Sequence, residues 1–243
     1  MRIAFLCPPV PGHLNPMTTL ARELQSRHHD VVFINLPDAE PLVRAAGLHF
    51  IPCCEKEFPA GSLDERVRQL GKLAGEDCVR LTVKGIAART ELMLDVLPGI
   101  LAAAGVDGIV LDAYDFYREV IPMSLGMPYV HVSNALHFDY SGYTPLGVYD
   151  WPHETTSEAL VRNRNGVSKF TQMLARANGA AKAYAERRGL KVDWRDPSFT
   201  ISRLAWLTQT PKEFDFESGH WPTQFYHTGP FHNGTGRIDA QFP

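Results

Sequence analysis

The chain has 243 residues, 44% apolar and 21% charged, and a net charge of −3. That length is enough for one sizeable core; the scattered basic residues leave no footprint for a nucleic-acid partner, and no apolar run reaches the roughly 20 residues of a membrane helix. Cys7, Cys53, Cys54 and Cys78 show no CxxC spacing, and "MRIAFLCPPV" has no basic leader or cleavage site, so a cytoplasmic protein with reduced thiols and no signal peptide is expected.

In chain order, "RIAFLC" (2–7) reads as a short buried strand. "PPVPGHLNP" (8–16) follows, with His13 in a tight turn. Asn15 is the expected N-cap of a first helix and Pro16 its first helical residue, with Met17, Leu20, Ala21 and Leu24 on one face. "DVVFINL" (30–36) is a second strand, 38–47 a short helix and "LHFIPCC" (48–54) a third strand.

A long helical region spans 62–104, with Ser62 and Glu65 as a candidate capping box. Gly71, Gly75, Gly85 and Pro98 predict its division into two or three helices. "GIVLD" (108–112) is a strand ending on an acid, 116–126 a helix with Asp115 as its expected N-cap, and "PYVHVSN" (128–134) a strand. Residues 135–155 are aromatic and aperiodic, the pattern of a functional loop. Helices are expected at about 156–188, and strands at 203–211 and 225–231. "EFDFE" (213–217) reads as an exposed turn, and the tail from Asn233 has the composition of a linker.

The alternation predicts an α/β fold, a Rossmann-like doubly wound, mostly parallel sheet of about six or seven strands flanked by helices. Ligands in such sheets bind beyond the carboxyl ends of the strands. His13 follows the first strand, Asp112 ends the fourth, and Ser133 and Asn134 end the fifth. A histidine and an aspartate on one edge fit a base and the carboxylate that orients it. The positive end of the first helix is expected to keep the ring neutral. A structural histidine in the turn and an N-capping role for Asp112 remain open on the residues alone.

Other chemistries lack their motifs. There is no GxGxxG after the first strand, no GxxxxGK[ST], no GxSxG and no HExxH. Adjacent His28 and His29 have no partner at metal-ligand spacing, so no metal site is expected.

The stretch from Arg2 through "VVFI" resembles the opening of the family-1, UDP-sugar-dependent glycosyltransferases of the GT-B fold. The shared pattern is a strand, Gly12-His13-x-x-Pro16, "LAREL" (20–24) and a second strand. "GIVLDAYDFYREVIPMSLGMPYVHVSN", "LTQTPKEFDF" and "YHTGPF" resemble later parts of the same N-terminal domain. His28 stands where that family has a glycine, which puts the local helix end in question.

The resemblance implies an acceptor-binding domain over 1–232, the start of an interdomain linker over 233–243, and an absent C-terminal domain that holds the UDP-sugar. It implies His13 as general base and Asp112 as its orienting partner. Gly12, Ser133 and Asn134 would lie near the donor. Phe116, Tyr117, His137, Phe138, Tyr140 and Tyr143 would bind a hydrophobic or phenolic acceptor. The implied reaction is metal-independent inverting transfer of a sugar, without a cofactor, and the isolated half is expected to be inactive. The alternative is a non-catalytic module that binds a small ligand with half of this fold.

Overall fold

A computed structural model describes residues 1–216 and 221–232. Seven strands form one sheet, all neighbours parallel: β1 (Arg2–Leu6), β2 (Asp30–Asn35), β3 (His49–Pro52), β4 (Gly108–Asp112), β5 (Tyr129–Ser133), β6 (Trp206–Thr208) and β7 (Phe225–His227). Their spatial order is β3-β2-β1-β4-β5-β6-β7. The order reverses between β1 and β4, so the switch point of the doubly wound sheet lies between these two strands.

Parallel strands bury both faces, which is why these runs are apolar throughout rather than alternating. Ala4 and Leu6 of β1 face one layer, together with Val32, Ile34, Ile109 and Leu111. Helices α4 (Gly75–Ala103), α5 (Val120–Leu125) and α7 (Ala175–Arg187) supply its cover, including Leu94, Leu97, Val120 and Ala181. Phe5 and Cys7 face the opposite layer, with Val31 and Phe33, under α1 (Pro11–Ser26) and α2 (Glu40–Ala45). A third cluster, around Phe116, Phe138 and Phe170, packs the irregular segment after β5 against α6 (Ser157–Met173).

Several local expectations are corrected. Helix α1 starts at Pro11, so Pro16 lies inside it and Asn15 is no cap. The Val10 carbonyl accepts from both His13 N–H and Leu14 N–H and closes the first turn. Pro16 lacks the N–H that would reach back to Gly12, so the helix gives up one bond early in its length. His13 is therefore held on the first helical turn instead of in a turn before it.

The Ser62–Glu65 capping box does not form either. Helix α3 (Ser62–Leu70) is capped from a distance by Asp38, which accepts from the N–H groups of Gly61 and Leu63 and from the Ser62 hydroxyl. Only residues 71–74 interrupt the long helical region; α4 runs through both Gly85 and Pro98. Helix α5 starts at Val120, not Phe116, because Asp115 is buried between Arg89 and Arg118 instead of capping. His28 ends α1 with a φ of 65°, taking the left-handed conformation usual for glycine. Residues 135–155 hold no helix or strand, but Asp139 orders them: its carboxylate accepts from Ser141 and Thr144. Asn233 and the linker expected over 233–243 lie outside the described residues.

Candidate active site

The sheet brings His13 and Asp112 together at its switch point. His13 stands on the first turn of α1, directly after β1, and Asp112 is the last residue of β4. His13 Nδ1 lies 2.7 Å from Asp112 Oδ2 across 99 residues of chain. An ionised carboxylate only accepts, so Nδ1 carries the hydrogen and Nε2 keeps the free lone pair. The Asp112 side chain is fully buried, whereas His13 keeps 16% of its side chain exposed.

A buried carboxylate is costly unless its oxygens are satisfied. Asp112 Oδ1 accepts from the Tyr114 N–H at 2.8 Å, and Oδ2 also accepts from Asn134 Nδ2 at 2.6 Å. Asn134 Oδ1 in turn accepts from Gln209 Nε2 at 2.8 Å, and Gln209 Oε1 accepts from the Phe231 N–H at 2.8 Å. Every donor in this relay points toward Asp112. It ties the ends of β4, β5 and β6 to the His13–Asp112 pair.

The Tyr114 ring stacks edge-on to His13 with centroids 5.3 Å apart, and its hydroxyl donates to the Leu136 carbonyl. Burial beside Asp112 pushes the Tyr114 phenol up to about 12, so it stays neutral. On His13, burial is the largest single influence and favours the neutral ring. The hydrogen bond to Asp112, its charge and that of Asp115 together outweigh burial, and the net shift is upward from 6.5. The direction of the shift is therefore opposite to the one expected from the helix end, and the carboxylate sets it.

His13 opens onto a cleft of about 480 Å³ between α3, α4 and the β1–α1 junction. Val10, Leu36, Phe58, Ile86, Tyr114 and Phe116 give it an apolar lining. A broader hollow of about 670 Å³ lies against α6, around Trp151 and Arg162, and includes none of the groups near His13. Among the described residues, no three His, Cys, Asp or Glu side chains gather as a metal site, and no helix is long and apolar enough to cross a membrane.

No family model matches the chain. It is 25% identical over 227 residues to the zeaxanthin glucosyltransferase of Pantoea ananas, covering 93% of this chain and 52% of that protein. The zeaxanthin glucosyltransferase of Pseudescherichia vulneris is 23% identical over 229 residues, covering 93% and 53%. The chain thus spans about half the length of these relatives. Among solved structures, the calicheamicin glycosyltransferase CalG4 superposes with a TM-score of 0.64 at 16% identity, over 94% of this chain and 51% of that one. The Streptomyces sp. SF2575 glycosyltransferase SsfS6 bound to thymidine diphosphate superposes with a TM-score of 0.54 at 15% identity, over 88% and 51%.

The fold is that of the glycosyltransferases, over about half their length.

Within this glycosyltransferase fold, the predicted residues fall into separate places. Gly12 is exposed, and a Cβ there would meet nothing within 4 Å. Asn134 has both ends of its amide engaged in the relay. Ser133 is fully buried, and its hydroxyl accepts from Trp206 Nε1 at 2.9 Å. Phe116 lines the His13 cleft. Tyr117 and Tyr140 instead line a small internal cavity of about 50 Å³ beside α7. Phe138 is buried among Phe116, Tyr114 and Phe170. Tyr143 packs 5.8 Å from the His153 ring.

His137 belongs to a different cluster. Its Nε2 lies 3.2 Å from Asp215, its Nδ1 3.2 Å from the Thr208 hydroxyl, and Trp206, Trp221 and Phe225 surround the ring. Asp215, expected in an exposed turn, has only 8% of its side chain exposed; Glu217 lies outside the described residues.

Sequence reasoning missed Tyr114 and Gln209. Both follow a strand end by one or two residues, so the rule that found Asp112 and Asn134 reaches them when applied to every strand.

Proposed function

We propose that this chain is the acceptor-binding half of an inverting, metal-independent glycosyltransferase. His13 Nε2 takes the proton of an acceptor hydroxyl as its oxygen attacks the anomeric carbon of a nucleotide-linked sugar, UDP-linked in our reading. The new bond joins acceptor oxygen to that carbon, and the bond from the carbon to the nucleoside diphosphate breaks on the opposite face. Asp112 holds the ring by Nδ1 and stabilises the imidazolium that results.

The observation that carries this reading is the 2.7 Å pair of His13 with a fully buried Asp112, its other nitrogen left for an apolar cleft at the switch point. The glucosyltransferase relatives favour sugar transfer over other base chemistry at such a site. The exposed Gly12 supports close approach of a donor held by a second domain. The four free thiols favour a reducing, cytoplasmic setting.

The test joins this chain to the donor-binding half of its protein and measures transfer to a simple phenol. His13→Ala is expected to lower kcat by about 10²- to 10⁴-fold, with acceptor binding retained. Near-normal turnover in that variant rejects the base. The 243-residue chain alone is expected to bind the phenol without forming glycoside.

A further inference from the structure

The cleft that faces His13 is largely apolar, with Ser62, Glu65, Gln69 and Thr82 along its α3 and α4 walls and two guanidinium groups among them. Arg66, from α3, and Arg89, from α4, both line it. Among the described residues the one lining carboxylate is Glu65, which is engaged with Arg68 at 3.1 Å and with Gln69.

Arg66 spends its donors on neutral groups. Its Nη2 donates to the Leu81 and Thr82 carbonyls, and among the described residues no carboxylate pairs with it. Arg89 shares Asp115 with Arg118, and the sharing is unequal. Arg118 lies 2.7 Å from that carboxylate and Arg89 3.3 Å. One aspartate thus faces two buried cations, and Arg89 Nε is buried with no acceptor at all. Burial, then the Arg118 charge, push Arg89 down to about 10, with Arg66 adding to the same direction. An arginine stays protonated through such a shift, so Arg89 keeps its positive charge at neutral pH.

The two groups are aligned by the helix. The Arg66 guanidinium lies over Gly85, so closely that a Cβ there would fall 1.6 Å from Nη2. Gly85 and Arg89 are four residues apart on α4, about 6 Å along its axis and on the same face. One guanidinium lying over Gly85 and a second carried four residues further on the same helix, beside apolar walls, offer N–H donors suited to a carboxylate. Arg89 is also near enough to His13 for its charge to act on the ring.

We propose that the acceptor is an anionic one: an apolar body with a carboxylate held by Arg66 and Arg89, presenting a separate hydroxyl to His13. This rests on the acceptor-site reading above and narrows its substrate class. Gly85 acts as the positioning residue, since only a missing side chain lets the Arg66 guanidinium lie across α4.

The test titrates the chain with 6-hydroxy-2-naphthoate and with its methyl ester, followed by fluorescence at neutral pH. The acid is expected to bind about tenfold tighter than the ester. In Arg66→Met the acid-to-ester ratio should fall to about threefold or less. Gly85→Ala should lower the ratio as well, because it displaces the guanidinium while keeping its charge. Alanine suits a helix interior better than glycine, so thermal unfolding of that variant should show no loss of stability. Equal binding of acid and ester by the parent chain overturns the inference and leaves the sugar-acceptor reading standing. Displacement of the acid by UDP in an Arg66-dependent manner also overturns it, because the guanidinium groups would then serve a diphosphate. Failure of both naphthols to bind overturns the acceptor-site reading along with it.

Discussion

His13 and His137 both follow strands of the same sheet edge, and both face an aspartate, yet their environments pull in opposite directions. Among the described residues His13 is the one imidazole on Asp112, at 2.7 Å, and its pKa rises. His137 shares Asp215 with His227, which lies 3.4 Å from the same oxygen, and aromatic rings enclose it. Burial dominates there, and its pKa falls. A histidine–carboxylate pair is therefore not in itself a base. The carboxylate must be undivided and held by other donors, and the second nitrogen must face a space that admits a substrate.

The largest effect that separates the two is on turnover. His13→Ala should remove most of the sugar transfer in the protein carrying both halves, by about 10²-fold or more. His137→Ala should act on folding, lowering stability by about 1–3 kcal/mol as a packed ring is lost from an aromatic cluster. A transfer defect in His137→Ala as deep as in His13→Ala would erase the distinction.

Asp112→Asn comes next. It keeps the shape of the side chain and removes the charge that raises His13. The rate should rise with pH through the His13 pKa, since the base must be neutral, and in the parent protein that limb lies above 6.5. In the variant the limb should move to lower pH while the plateau drops by about 10²-fold. A limb that stays in place would dissociate Asp112 from the basicity of His13.

Stability should carry the same contrast with smaller amplitude. The raised pKa of His13 stabilises the fold fully below pH 6.5, and that gain is lost as pH rises through the raised value. The lowered pKa of His137 does the reverse: the unfolded chain takes the proton first, so stability falls as pH drops from 6.5 through the lowered value. Between pH 7 and 5, the Tm of His137→Ala should therefore decline less than that of the parent, and the Tm of His13→Ala should decline more.

Gln209→Leu sharpens the comparison at its gentlest point. It leaves the His13–Asp112 contact in place but frees Asn134 and the Phe231 N–H, costing about 1–2 kcal/mol. Transfer should fall several-fold, with the pH limb close to that of the parent protein. An unchanged rate would confine the relay to folding.

Much of this site was legible because parallel strands share one carboxyl edge. A five-residue run, apolar until it ends on Asp112, and a short strand leading to His13 were enough to place both groups on it, and seven strands were within the expected range. What escaped was set by partners distant in sequence. The cap of α3 comes from Asp38, which no local pattern around Ser62 announces. Asp115 looked like a cap because nothing nearby in sequence shows that Arg89, on another helix, reaches it. The aromatic residues after β5 were recognisable as a group. Which of them pack together and which line the cleft depends on how α6 lies over them: Phe138 packs in the cluster with Phe170, and Phe116 belongs to that cluster and also lines the cleft.

The distance of 99 residues between His13 and Asp112 has a kinetic consequence. Strand β1 is hydrogen-bonded to β2 and to β4, and the second pairing must close the longer loop. Loop closure delays such a contact relative to those of neighbouring segments. A nascent chain that ends before Gly108 does not yet contain the Asp112 carboxylate that His13 pairs with. The His13–Asp112 pair thus comes into being only when the centre of the sheet is complete, and the titration of His13 is a clock for the arrival of β4.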